Sequence, residues 1–311
     1  MKVIRVGIGG MGNAWLRAVS ASPVVEYAGF VEVNEAISRE QAERYNLDPS
    51  LIFPSLEEAL AQVSAEGVID ITPPQFHRFI SVTALEAAQE IVRKADETGV
   101  LHLVSQNYRY RVTTQTLKRV LESGQMGQVG ALTVSFFKGP HFGGFREEMA
   151  YPLIIDMAIH HFDAMRFFLD SDPISIFGQS WNPTWSWFKG DASANVLLWF
   201  ANGVRVAYNG SWVSTGRETT WNANWRFECE KGVIALEEDQ VYTQLTGEEA
   251  VPVEPVEMEY QDQAYMLQQF YEAVTTGRTP KTTCQDNIKS LAIVFDTVKS
   301  FETGQVVRSS Q

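Results

Sequence analysis

The sequence predicts an α/β chain in two parts: an N-terminal domain built on a parallel sheet, then an α+β domain with a large, mostly antiparallel sheet. Three observations carry this. Strand and helix patterns alternate over the first hundred residues, as they do where parallel strands are joined by crossover helices. From about Gln106 the pattern changes to strand runs separated by the turn signals Ala201-Asn202-Gly203 and Glu230-Lys231-Gly232, which join antiparallel neighbours. The 311 residues suffice for two domains with separate cores, assigned to 1–105 and 106–311.

Met1-Lys2-Val3-Ile4-Arg5-Val6 alternates as a strand and runs into Gly7-Ile8-Gly9-Gly10-Met11-Gly12, the Gly-x-Gly-x-x-Gly spacing of a dinucleotide-binding turn. Gly7 permits the tight bend, Gly9 lets the backbone approach a pyrophosphate, and Gly12 lets the next helix pack on its strand. That helix, from Asn13, would offer its free N–H groups to the phosphates, so Gly7, Gly9, Met11 and Gly12 are the expected cofactor-binding positions. Residues 24–31 read as a second strand. Glu32 follows it, twenty residues beyond Gly12, where an acid accepts hydrogen bonds from the adenosine ribose.

A helix over 35–45, a short strand at 51–53 and a helix opened by the capping box Ser55-Leu56-Glu57-Glu58 come next. The strand at 67–71 is stopped by Thr72-Pro73-Pro74 at the carboxyl edge, where ligands sit in open α/β sheets, although Pro73-Pro74 also reads as a plain turn. Residues 76–99 are a helical stretch of 24 residues with no strand inside it. A continuous helix of that length would be about 36 Å long, roughly twice a usual strand, so either it bends or a segment has been lost. A last parallel strand is expected at 100–104, with Gln106-Asn107-Tyr108-Arg109-Tyr110 at its carboxyl end in a binding position.

The second part opens with a helix at 114–123. Strand signals follow at 130–137, 194–200, 204–212, 222–228 and 233–236, and helices close the chain at 262–275 and 286–303. A sheet of this size needs cover on both faces where both are apolar, so a homo-oligomer is expected.

Asp156, His160 and Asp163 fall on one face of a helix expected over 151–169, with Ile154, Ala158, Phe162, Met165 and Leu169 as an apolar stripe opposite. A carboxylate near an imidazole suits proton transfer from a hydroxyl undergoing oxidation; a capped, solvated helix face is the alternative. His161 points elsewhere and reads as structural. Asp156 and His160 lack an evident third partner for a metal, so none is expected. Trp181, Trp185, Trp187, Trp221 and Trp225 among Asn182, Asn222, Asn224 and Arg226 would suit a sugar, or else serve as core and interface.

A net charge of −13 argues against nucleic acid, which needs a basic surface. No apolar run approaches the roughly 20 residues of a membrane span, and the first strand begins at residue 2, so a cytoplasmic protein is expected. Cys229 and Cys284 form no redox or metal spacing.

Taken in order, Gly7-x-Gly9-x-x-Gly12, Glu32, Thr72-Pro73-Pro74 with His77, Gln106-Asn107-Tyr108-Arg109-Tyr110 and Asp156-x-x-x-His160-x-x-Asp163 resemble the Gfo/Idh/MocA family of NAD(P)-dependent oxidoreductases over nearly the whole chain. The resemblance implies a Rossmann domain followed by a domain with an open sheet that commonly builds dimers or tetramers. It implies hydride transfer between nicotinamide and a secondary alcohol of a sugar, inositol or related polyol. His160 would be the acid/base and Asp156 its neighbour in substrate binding, and Thr72, Pro73, His77 and Gln106 would border the cofactor; Asn107, Tyr108 and Arg109 are expected at the substrate from their location at the domain junction. Glu32 would repel a 2′-phosphate and so favours NAD, while nearby Arg39 leaves NADP open.

The chain departs from the family at one place. A strand ending in Glu-Lys-Pro, whose lysine is associated with the nicotinamide and the reacting hydroxyl, normally separates the helices that here meet directly at Ala87-Ala88-Gln89-Glu90-Ile91. Two further readings therefore stand beside a dehydrogenase: a catalytically impaired nucleotide- or sugar-binding relative, and an NAD-dependent glycosidase.

Overall fold

The computed structural model describes residues 1–9, 13–72 and 82–309, with side chains of 82–87 excluded. Within these residues the chain forms two compact units, Met1–Asn107 with Tyr260–Cys284, and Tyr108–Glu259 with Gln285–Gln311.

The first unit carries a parallel sheet of β1 (Lys2–Val6), β2 (Glu26–Val31), β3 (Ile52–Phe53) and β4 (Gly67–Asp70) in the order β3-β2-β1-β4. These are the first four positions of the doubly wound order, as the strand–helix alternation predicts. Helices α1 (Asn13–Ser20), α2 (Glu35–Tyr45) and α3 (Leu56–Gln62) connect them. Asn34 caps α2 through its side-chain oxygen, and the Ser55 hydroxyl accepts from Glu58 N–H at 3.1 Å, the expected cap of α3.

Two features of this unit differ from the sequence reading. The long helical stretch is observed as α4 (Val82–Thr98), unbroken across Ala87–Ile91, and the strand expected at 100–104 does not form. Instead Leu103 makes one antiparallel bridge to Thr283, and Val104 N–H donates to Thr282 O at 2.8 Å. The geometry explains both. A 17-residue helix is about 26 Å long against about 13 Å for four-residue β4, so it does not return the chain to the register of that strand. Among the described residues β4 is the sheet's outer strand, with Val68 exposed.

The other difference is that residues 260–284 join this unit. Helix α7 (Asp262–Thr276) buries Leu267 among Val3, Val19, Val25 and Ile69. Its Phe270 ring lies so close to Gly67 that a Cβ there would sit 2.7 Å away.

The second unit is a nine-stranded sheet. Its strands are β5 (Val129–Phe137), β6 (Pro173–Trp181), β7 (Ser193–Phe200), β8 (Arg205–Ser211), β9 (Asn224–Cys229), β10 (Gly232–Glu237), β11 (Gln240–Leu245), β12 (Val251–Pro252) and β13 (Val307–Arg308). They lie in the order β12-β11-β10-β9-β5-β8-β7-β6-β13, and every pair is antiparallel except β5 with β8. Both predicted hairpins, β7–β8 and β9–β10, are present.

Sequence reasoning missed β6, β11, β12 and β13. The first begins with a proline and contains Gly178, β11 carries polar Gln240, Thr243 and Gln244 among its six residues, and the other two are two-residue strands with no periodicity to read.

Leu132, Val134 and Phe136 of β5 point into a core that also takes Leu117 of helix α5 (Val112–Glu122) and Ile293, Val294 and Val298 of helix α8 (Cys284–Thr303). Helix α6 (Ile159–Leu169) contributes Phe162, Met165 and Leu169 to the same core. It is preceded by a π-helical turn, Leu153–Ala158, that the sequence reading had merged into one α-helix. All five stripe residues, Ile154, Ala158, Phe162, Met165 and Leu169, are buried as expected.

Candidate active site

In the first unit the glycine turn begins at the carboxyl end of β1. Gly7 has φ of +82°, and a Cβ there would lie 3.1 Å from the Ile71 carbonyl group and Thr72 N, so both conformation and space call for glycine. Among the described residues a Cβ on Gly9 would meet nothing within 4 Å. The fully buried Arg5 braces the turn from below, its Nε–H donating to Gly7 O at 3.0 Å. Glu32, immediately after β2, accepts from Ile8 N–H at 3.3 Å and Asn34 N–H at 3.0 Å. One backbone donor on each carboxylate oxygen leaves acceptor capacity for hydroxyl groups.

Thr72 stands just past β4, with its N–H and Oγ1–H donating to Asp70 Oδ1 at 2.9 and 2.8 Å. Gln106 is buried and its N–H donates to Val104 O. The Asn107 side chain, expected to face substrate, is buried and donates through Nδ2 to Asp262 Oδ1 at 2.9 Å. Met11, Gly12, Pro73 and His77 lie outside the described residues.

In the second unit the π turn ahead of α6 sets the chemistry. Asp156 lies within it and His160 just beyond, both half-buried while their neighbours Met157, Ala158 and His161 are buried. Such a turn widens the helix locally and displaces side chains from the face that a regular 100° step assigns; π turns recur at functional sites. The imidazole of His160 stacks on the Tyr108 ring, with centroids 4.7 Å apart and planes 9° off parallel. Arg111 places its guanidinium carbon 3.4 Å from the same ring's centroid and donates to Asn222 Oδ1 at 2.7 Å. At those distances both groups do not fit on one face, so Tyr108 is sandwiched between a permanent cation and the imidazole.

Asp156 is held by Arg146, whose Nε–H donates to Oδ2 at 2.8 Å. Sequence reasoning missed Arg146. The signal lay in Gly143-Gly144-Phe145-Arg146, where both glycines have positive φ and shape a short 3-10 turn that presents the arginine.

Asp163 was read on the same helix face as His160, and Arg109 was expected among the substrate contacts; the structure engages both in one buried ion network. Arg109 Nε–H and Nη2–H donate to the two Asp163 oxygens at 2.6 and 2.7 Å, and Nη2 also reaches Asp286 at 2.7 Å. Ser290 Oγ–H donates to Asp163 at 2.7 Å, and Arg166 links Asp286 to Asp172. Burial opposes the Arg109 charge, yet the Asp163 and Asp286 carboxylates outweigh it and hold its pKa above the ordinary value. Phe167, on the same side, lies against Arg109 and Lys118.

His161 is structural, as read from the sequence. Burial depresses its pKa to about 3, helped by the His160 and Arg111 charges, and its Nδ1 sits 3.2 Å from the Tyr208 hydroxyl. Of the tryptophans, Trp225 is buried with its Nε1–H on Asn222 O, while Trp181, Trp185 and Trp221 are exposed; Trp187 stacks on His141.

Residues 114–235 match the model of the GFO/IDH/MocA C-terminal domain. That stretch of the second unit is a Gfo/Idh/MocA C-terminal domain region. Similarity of the chain to known proteins extends over both units. It is 26% identical to the uncharacterized protein y4oX of Sinorhizobium fredii, covering 99% of this chain and 95% of that one. It is 24% identical to inositol 2-dehydrogenase 1 of Paenarthrobacter aurescens, with 99% and 96% covered. The first of these alignments runs over 345 positions against 311 residues here, so that relative carries stretches with no counterpart in this chain. Among solved structures, an oxidoreductase from Agrobacterium radiobacter in complex with NAD+, L-tartaric acid and magnesium superposes with a TM-score of 0.88 at 19% identity, covering 99% and 98% of the two chains. At that identity the likeness establishes the shared fold.

Proposed function

We propose that the chain is an NAD(P)-dependent oxidoreductase that transfers a hydride between the nicotinamide and a secondary alcohol of a sugar, inositol or related polyol. The observation that carries this reading is His160, half-exposed beyond the π turn, stacked on Tyr108 and one turn from the Arg146-held carboxylate of Asp156. An imidazole so fixed accepts the hydroxyl proton as the C–H bond yields its hydride, and returns it in the reverse direction. Asp156 orients the substrate. The dinucleotide, when bound, supplies the hydride acceptor.

Gly7, Gly9 and Glu32 fit such a cofactor: the turn is tight, its second glycine is uncrowded among the described residues, and the carboxylate has capacity for ribose hydroxyls. Gly12, Met11, Thr72, Pro73, His77 and Gln106 complete the proposed cofactor set. Glu32 favours NAD over NADP, and Arg39 already pairs with Glu35 at 3.1 Å. Relatives named for inositol and D-apiose dehydrogenation support the substrate class, and a bound NAD+ in a neighbour of the same fold supports the cofactor. Among the described residues no helix is long and apolar enough to cross a membrane. A homodimer or homotetramer is supported by the exposed Trp181 and Leu197 on the large sheet.

A second reading, a catalytically impaired binding relative, is favoured by the unbroken α4, which leaves Lys94 on an exposed helical surface beside Glu97. Incubation of the purified protein with NAD and a polyol panel, followed at the nicotinamide absorbance, separates the two. Turnover that His160→Ala abolishes, with NAD affinity kept within about twofold, is the expected result. A variant that retains its rate would remove His160 from the mechanism, and tight NAD binding with no turnover on any polyol would favour the impaired relative.

A further inference from the structure

We infer that Arg146 is a specificity-determining residue that reads the hydroxyl next to the reacting carbon, so that the site selects vicinal diols over lone secondary alcohols. This rests on the proposed function, because it takes His160 as the base. Arg146 uses one of its five N–H donors on Asp156, and it does so end-on: only Nε and Oδ2 are joined. Among the described residues the two Nη nitrogens have no acceptor, and Asp156 Oδ1 has no donor. The pair is largely sheltered, with side chains 15% and 17% exposed, and the Phe142 and Phe145 rings lie 5.2 and 4.9 Å from the guanidinium carbon.

An edge of this kind, donors beside an acceptor with aromatic rings against the guanidinium, matches a group that is itself donor and acceptor. A neutral hydroxyl satisfies it by taking an N–H from Arg146 and giving its O–H to Asp156. The pair is internally neutral, which weakens the case for a carboxylate as the occupant. His160 follows Asp156 by four residues across the π turn, and we place the oxygen it deprotonates and the oxygen held by the pair on adjacent carbons of one substrate. The guanidinium then also faces negative charge as it develops on the neighbouring oxygen.

The test compares myo-inositol, D-glucose and D-sorbitol with their monodeoxy analogues, using the wild type, Arg146→Met and Arg146→Lys. For whichever polyol turns over, deleting the hydroxyl beside the oxidised carbon should lower wild-type kcat/KM on the order of 100-fold or more, because the pair is left unmet. Arg146→Met should lower the parent substrate by on the order of 10- to 100-fold and the deoxy analogue by far less, so that the discrimination collapses, and Arg146→Lys should restore part of it. Equal losses on parent and analogue, or a wild type indifferent to the deletion, would overturn the inference. If no polyol turns over, the dehydrogenase reading fails. Titration of the same pairs by calorimetry then decides the inference: Arg146→Met must erase the wild type's preference for the parent polyol, and a wild type with no such preference refutes it.

Discussion

Replacing Asp163 separates a structural from a chemical role for the acid nearest His160 on α6. Its carboxylate is 1% exposed and accepts three hydrogen bonds, two from Arg109 and one from Ser290. Asp163→Ala leaves the Arg109 guanidinium, itself 6% exposed, with Asp286 as its remaining carboxylate. Removing one partner of a buried pair costs about 3–5 kcal/mol, because the other charge remains desolvated. In a unit of this size that corresponds to a fall in Tm of roughly 6–20 °C. Asp163→Asn keeps the shape and weakens the charge-assisted bonds, so its loss should be about half as large. Thermal unfolding followed by circular dichroism at pH 7 measures both. Arg109→Met combined with Asp163→Leu should be less destabilising than the two single losses added together, since neither charge is then stranded. A change in Tm under about 2 °C for Asp163→Ala, or additive losses in the double variant, would refute the network's structural role. A kcat that collapses in Asp163→Asn while its Tm holds would return the residue to the chemistry.

Two further outcomes follow from the same structure. Burial holds His161 neutral, with a folded pKa of about 3 against about 6.5 when unfolded. Between those values the unfolded state binds the extra proton, so this contribution to stability is complete above pH 6.5 and declines by up to about 1.4 kcal/mol per unit as pH falls towards 3. Urea unfolding from pH 7.5 to 4.5 should therefore show a shallower acid decline in His161→Gln than in the wild type, and parallel declines would contradict it. Gly7→Ala places a Cβ 3.1 Å from backbone at Ile71 and Thr72 while φ is +82°. It should cost about 1–2 kcal/mol of stability and weaken NAD binding measured by fluorescence titration, and unchanged values for both would show that the turn tolerates a side chain.

How much of this was legible in the sequence depended on the range of the interaction responsible. Residues 2–6, the Gly7 turn, the caps at Asn34 and Ser55 and the two hairpins are set by alternation, turn chemistry and capping within a few positions of each other. Residues 2–6, the cap at Ser55 and the two hairpins appear where those patterns put them, while the Asn34 cap of α2 is a local signal that the sequence reading did not use. The stripe from Ile154 to Leu169 was likewise readable, because burial follows helical periodicity. The anomaly at 76–99 was visible as excess length, although the loss of the strand at 100–104 needed the sheet itself. Tertiary structure alone decided the fate of the polar residues. Arg109 meets Asp163 and Asp286, 54 and 177 positions away, and an ion pair at that separation leaves no periodic trace. The π turn that offsets Asp156 and the glycine loop that brings Arg146 to it are backbone conformations chosen by packing. Residues 260–284 returned to the first unit because Leu267 and Phe270 fill space beside Val3 and Gly67 that no local pattern reveals. Local free energies write the elements into the sequence, whereas the partners of buried charges are fixed only when distant segments close on one another.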